Sequence, residues 1–209
     1  MDEAAGPKTE PARRGARRGP YAKSAERRRQ IVDQVLVVYD ELGLEGTSLR
    51  AIAESIGVTH PVLVHHFGTR EQLFLEVLRE HDLRFGAQAQ DEALADLLRR
   101  SARYSARVPG LTALLGSMIA RALESGNERS HAYFVERYAR LRRQVGAVLE
   151  SARAAGTVRA DVPVDVTAGL LVAAADGLST QWLLDREVDM EASLLVLDRL
   201  LEPPAQMPG

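Results

Sequence analysis

Thr47-Ser48-Leu49-Arg50-Ala51-Ile52-Ala53-Glu54-Ser55-Ile56-Gly57-Val58-Thr59-His60-Pro61-Val62-Leu63-Val64-His65-His66-Phe67-Gly68-Thr69-Arg70 reads as two short helices joined by a tight turn. Leu49, Ile52, Ala53 and Ile56 recur at i, i+3, i+4, i+7 and lay one apolar stripe along the first helix. Gly57-Val58 breaks it. Thr59 is placed to cap the second helix through its hydroxyl, and Pro61 is tolerated in a first turn whose N–H groups lack helical partners. Leu63 and Phe67, four apart, turn inward against the first helix. His60, Pro61, Val64 and His65 remain outside, flanked by Val62 and His66. A short helix with a polar outer N-terminus, braced across its back by another, is the geometry of a helix-turn-helix that enters the major groove of DNA.

Composition narrows the field around that pair. The chain has 209 residues, 45% hydrophobic and 27% charged, an ordinary balance for a globular protein with a sizeable core. No run of 18 apolar residues suggests a membrane span. The arginine-rich N-terminus lacks the apolar segment of a secretory signal. With no cysteine, disulfides and thiolate metal sites are excluded. The expected location is the cytoplasm. Charge is unevenly spread: residues 11–30 carry +7, whereas residues 31–209 carry −7. A basic arm beside the reading helix, on an acidic body, is polarised for DNA at one end. Taken alone, the same run also fits a solvated tail.

In chain order, residues 1–20 lack periodicity and read as a disordered basic arm. Ile31, Val35, Val38 and Leu42 place a first helix over Ser24–Leu42, with Gly43 as its C-cap. After the reader pair, Thr69 and Gln72 form a T-x-x-Q capping box for a fourth helix, Arg70–Gly86. Further helices are expected over 91–107, 111–124, 131–155, 164–185 and 190–201, with Pro109-Gly110 and Ser125-Gly126-Asn127 as breaks. The 164–185 segment is dense in small residues that permit close helix approach. Period-two alternation is absent, so the fold class is all-α: a three-helix DNA-binding domain over 21–68, then a helical domain over 69–209, for which the resemblance given below implies ligand binding and dimerisation.

The spaced positions Thr47-Ser48-Leu49-Arg50, Ile52-Ala53, Gly57-Val58-Thr59, Leu63, His66-Phe67 and Thr69-Arg70 resemble the TetR family of bacterial transcriptional regulators. The resemblance covers about a third of the chain; beyond it only the helical layout matches. It implies that Ser48 and Arg50 contact phosphate or a base edge, that Thr59, His60, Pro61 and Val62 face the major groove, and that His66 and Arg70 hold the DNA backbone. Arg17, Arg18 and Lys23 of the arm would add phosphate contacts. Val64 stands where the family usually has Tyr, and Val62 where it usually has Thr. Valine can meet a thymine methyl but forms no hydrogen bond, so base reading shifts to His60, His65 and Arg50. A histidine on phosphate binds best protonated, so such binding strengthens toward acid pH.

The resemblance further implies a homodimer built from 164–185 and 190–201, a near-palindromic operator, and a small lipophilic effector in the second domain that releases DNA. Tyr104, Leu111, Met118, Tyr133, Phe134, Tyr138 and Trp182 are its candidate contacts, set against the commoner role of such residues as core. Nucleophile elbows, phosphate loops and dinucleotide fingerprints are absent, so no enzyme activity and no cofactor is expected. No metal site is expected either: His60, His65 and His66 lack a Cys or E-x-x-H companion, and Asp185, Glu187, Asp189 and Glu191 read as a solvated connection. An activator or ligand-independent DNA binder on the same scaffold is the nearest alternative. A helical protein-interaction module with a basic arm is the alternative of another class.

Overall fold

The computed structural model describes residues 20–87 and 92–204. Every element within them is an α-helix, and none of these helices is long and apolar enough to cross a membrane. The first three are α1 (Pro20–Gly46), α2 (Leu49–Ser55) and α3 (His60–Phe67), followed by α4 (Arg70–Gly86). α5 (Leu94–Arg107), α6 (Pro109–Ala122), α7 (Glu128–Ala154), α8 (Val164–Leu184) and α9 (Met190–Leu201) complete the chain. Arg17, Arg18 and the rest of the basic arm before Pro20 lie outside the described residues; Lys23 falls within α1.

α1 starts at Pro20 rather than Ser24, since a proline costs no hydrogen bond in a first turn. Its buried face is broader than the expected stripe: Ile31, Val35 and Val38 are joined by Val32, Leu36 and Tyr39. Leu42 is instead 48% exposed, because α1 breaks one residue later at Gly43, where φ is 64°. α6 likewise begins at Pro109, so the expected Pro-Gly break is a helix start. Gly110 is buried there because a Cβ would lie 3.3 Å from the Leu36 carbonyl oxygen of α1. α7 begins at Glu128, whose carboxylate suits the positive end of the helix dipole. α4 and α9 have the boundaries their sequence patterns indicate.

Two cores result. The larger joins the head to the body: Ile52, Leu63 and Phe67 of α2 and α3 pack with α1, with Leu73, Phe74 and Val77 of α4, and with Leu114, Met118, Tyr133 and Phe134 of α6 and α7. The smaller unites α5, α7, α8 and α9 through Leu98, Leu149, Leu171, Met190 and Leu194. α4 belongs to the first core along its first half and faces the body along its second. It joins the two halves of the molecule together with α1, which packs on α6.

Candidate DNA-reading head and effector cavity

The α2–α3 turn has the geometry that its sequence implies. Gly57 takes φ 68°, a left-handed conformation that a side chain would strain. Ser48 caps α2, its hydroxyl oxygen accepting the Ala51 N–H at 3.0 Å. Thr59 is the N-cap residue of α3, but its hydroxyl makes no capping bond, contrary to expectation. That hydroxyl is exposed and free to meet an external acceptor. Leu63 and Phe67 are buried at 0% and 5% exposure, so α3 is held by its back. His60, Pro61, Val64 and His65 are exposed together on its outer face, with Val62 and His66 half-buried beside them. Arg50 is solvated and only loosely paired with Glu54, at 3.6 Å.

The supports of α3 come from α1 and α4. Arg28 donates to the His66 carbonyl at 3.4 Å, pairs with Glu76 at 3.1 Å and lies 4.9 Å over the Phe67 ring. Thr69 and Gln72 form both bonds of the expected capping box. Arg70 donates to the carbonyls of Leu44 and Thr47, at 3.0 and 3.4 Å. Its guanidinium thus ties the start of α4 to the loop that leads into α2, a role that the sequence did not reveal.

At the other end of α4 lies a cavity of about 170 Å³. Leu78, Phe85, Leu98, Leu111, Leu115 and Val172 supply much of an apolar wall. His81 and Asp82 of α4, Tyr104 of α5, Arg137 of α7 and Asp176 of α8 supply the polar one. Tyr104 and Leu111 therefore line the cavity as expected. Met118, Tyr133, Phe134, Tyr138 and Trp182 do not. Met118, Tyr133 and Phe134 are buried in the first core, and Tyr138 packs against it. Trp182 packs on the second core beneath Arg186, 3.7 Å from its ring. Helix faces need bulky apolar residues for packing first, and these five serve that need.

Apart from Tyr104, the polar wall is the part that sequence reasoning missed. Asp82 accepts two bonds from Arg137 Nε, at 2.9 and 3.2 Å, one from Arg137 Nη2 at 3.1 Å, and one from Arg140 at 2.8 Å. Tyr138 donates to Asp176 at 2.7 Å, and burial pushes the Asp176 carboxyl up from its ordinary value. His81 Nδ1 lies 2.6 Å from the Tyr104 hydroxyl, and burial, aided by nearby Arg84, pushes the imidazole down. His81 Nε2 and Arg137 Nη1 are both buried without a hydrogen-bond partner. A usable signal existed: Asp176 is the one charge between Thr167 and Leu184, on a segment otherwise built of small and apolar residues.

The depressed His81 has a consequence for stability. Above pH 6.5 the imidazole is neutral in both folded and unfolded chains and contributes nothing. Below that value the unfolded chain takes up a proton that the buried ring refuses, so the folded state loses ground until the lowered folded value is passed. Denaturation midpoints of wild type and His81→Asn, compared at pH 8 and pH 5.5, should show a larger acid-side loss in the wild type. Equal losses would remove His81 as a source of acid sensitivity.

The rest of the surface holds two more features. Val166, Leu170, Ala173, Gly177, Thr180 and Leu184 of α8 follow one another at intervals of four and three residues, and all are exposed. Val196 and Leu200 add exposed apolar surface on neighbouring α9. The acidic connection between α8 and α9 is structural: Asp189 caps α9, Asp185 accepts the Glu187 N–H, and Glu191 pairs with Arg103. No cluster among the described residues has the ligands for a metal ion.

Comparison with known proteins agrees with this architecture. Residues 31–77 match the family model described as bacterial regulatory proteins, tetR family. An HTH-type transcriptional repressor of Mycobacterium tuberculosis is 32% identical over 154 residues, covering 74% of this chain and 81% of the relative. The HTH-type transcriptional repressor AcnR of Corynebacterium glutamicum is 26% identical over 155 residues, with the same coverage of 74% and 81%. Among solved structures, a TetR transcription regulator from Haloarcula marismortui superposes with a TM-score of 0.74 at 17% identity, over 86% of this chain and 100% of that one. The regulator FadR from Bacillus subtilis, solved in complex with stearoyl-CoA, gives 0.62 at 18% identity, over 83% and 97%. With a matched helix-turn-helix family model and a relative 32% identical over most of both lengths, the chain belongs to the TetR family of bacterial transcriptional regulators.

Proposed function

We propose that this chain is a cytoplasmic transcriptional repressor that binds a near-palindromic operator as a homodimer and releases it when a small, mainly apolar effector enters the body cavity. The carrying observation is α4: Arg70 and the Thr69–Gln72 box fix one end to the reading head, while Leu78, His81, Asp82 and Phe85 wall the cavity at the other. Both relatives described above are transcriptional repressors, which favours repression here. The cavity itself is mostly apolar, the environment that takes lipophilic effectors.

The exposed stripe of α8, with Val196 and Leu200 of α9, is proposed as the dimer face. Its four-and-three spacing is that of a helix seam, and a two-fold axis there makes one patch self-complementary. Two α3 helices then sit about one DNA turn apart, roughly 34–36 Å. Ser48, Arg50, Thr59, His60, Pro61, Val62, Val64, His65 and His66 form the DNA surface, with Arg17, Arg18 and Lys23 adding backbone contacts. Arg70 acts by holding the α4 end of the head in place. Effector and operator are then linked through two arrangements of α4, and an effector shifts the equilibrium only by its differential affinity for them.

Selection of bound duplexes from a random pool at near-physiological salt tests the function. A near-palindrome with half-sites one turn apart is the expected product; binding without sequence enrichment overturns the reading. On the selected duplex, His60→Ala should alter base preference more than overall affinity. An equal loss on every sequence would show that His60 contacts only the backbone.

A further inference from the structure

The effector cavity contains two buried polar groups whose hydrogen-bonding capacity the protein leaves unused. Arg137 is 8% exposed, and Asp82 takes its Nε and Nη2 but not its Nη1. His81 is also 8% exposed, with Nδ1 against the Tyr104 hydroxyl and Nε2 unpartnered. Native proteins rarely bury such groups without a partner, because each unpaired one costs the desolvation of its donor. Both residues line the cavity, on α4 and α7. When the tyrosine hydroxyl donates to Nδ1, Nε2 carries the ring proton, and the cavity wall then holds two unpaired N–H donors, which a ligand reaches by displacing the side chains that cover them.

The unpaired guanidinium N–H of Arg137 favours an anion over a neutral acceptor. Two guanidiniums, Arg137 and Arg140, share the single carboxylate of Asp82. Asp176 accepts from Tyr138, and Asp33, Glu80 and Arg84 lie on the His81 side. The remaining lining is mainly leucine, valine, isoleucine and phenylalanine, with hydroxyls from Ser101, Ser105, Thr112, Ser179 and Thr180. A cavity of this size, about 170 Å³, suits a body of roughly six to ten heavy atoms, by comparison with apolar cavities of about 150 Å³ that take benzene.

We propose that the effector is a small monocarboxylate with a compact apolar body, its carboxylate received by Arg137 Nη1 and His81 Nε2. This rests on the effector-cavity reading above and sharpens it to a ligand class. The carboxylate gains charge-assisted bonds from a donor already fixed in place, and the hydrocarbon fills the space between α5, α6 and α8. Since His81 lies on α4, the anion pulls directly on the helix that positions the reading head.

The test is calorimetric titration of the full chain with three probes of matched size: benzoate, benzamide and toluene. Benzoate should bind at least tenfold more tightly than the other two. Arg137→Gln should erase the preference for benzoate while toluene binding persists. His81→Phe keeps the ring bulk, removes the second donor and should weaken benzoate several-fold; it decides the matter if the arginine variant fails to fold. Toluene or benzamide binding as tightly as benzoate overturns the carboxylate while leaving an apolar effector cavity in place. Benzoate binding that neither variant alters also overturns it. If none of the three binds, the effector-cavity reading falls with it.

Discussion

Replacing Asp82 with alanine should destabilise the fold by about 3–5 kcal/mol, more than any exposed charge substitution in the molecule. Asp82 is the shared acceptor for Arg137 and Arg140, with side-chain exposures of 13%, 10% and 29%. Its removal strands a buried guanidinium between α4 and α7 with no anion to balance it. Arg137 lies beneath the ring of Tyr138 and cannot swing out to water without disturbing that packing. The matching double variant, Asp82→Leu with Arg137→Met, should recover most of the loss, since the charge left without a partner is then Arg140, whose 29% exposure lets it turn to water. Urea unfolding of wild type, single and double variants measures this. A single-variant loss below about 1 kcal/mol would show that solvent reaches the pair and that the polar wall is not a buried network.

The second large effect concerns assembly. Leu170→Asp should convert the proposed dimer to a monomer and lower operator affinity by roughly 10²- to 10⁴-fold, because two linked heads bind far more tightly than one. Leu170 is 64% exposed in the single chain and lies mid-stripe on α8, so the substitution leaves the monomer's own core intact. In a two-fold seam it places two aspartates in an apolar contact, which neither Coulomb energy nor solvation favours. Light scattering reads the mass and fluorescence anisotropy the affinity. A variant that stays dimeric would move the interface elsewhere. A monomer that keeps wild-type affinity would show that one head suffices.

These expectations separate what was legible in the sequence from what was not. The head was legible because short-range signals agree there: the stripe of Leu49, Ile52, Ala53 and Ile56, the break at Gly57, the inward pair Leu63 and Phe67, and the Thr69–Gln72 box. Each is decided within one or two helical turns. Helix starts at Pro20 and Pro109 were less legible, since proline marks both breaks and first turns and only tertiary packing chooses between them. The cavity was least legible. Tyr133 and Phe134 fall on the same helix as Arg137, three to four residues away, yet they enter the core while Arg137 lines the hollow. That difference is set by where α4, α6 and α8 cross α7, a long-range property. Asp82, His81 and Asp176 are functional candidates only once those helices bring them together, and the tie from Arg70 to the Leu44 and Thr47 carbonyls likewise joins residues far apart in the chain.

The absence of native cysteine makes one direct measurement simple, because a single introduced cysteine carries the only label in each protomer. Val64→Cys places that label on the exposed face of the recognition helix, 41% accessible in the wild type. Pulsed dipolar spectroscopy of the spin-labelled protein then measures the spacing between the two reading heads. A two-fold DNA reader predicts one main population centred, within the reach of the label arms, on roughly 34–36 Å, the spacing of successive major grooves on one face of the duplex. No dipolar coupling, or a distance too long to bridge adjacent grooves, would contradict the dimeric reader on which the account depends.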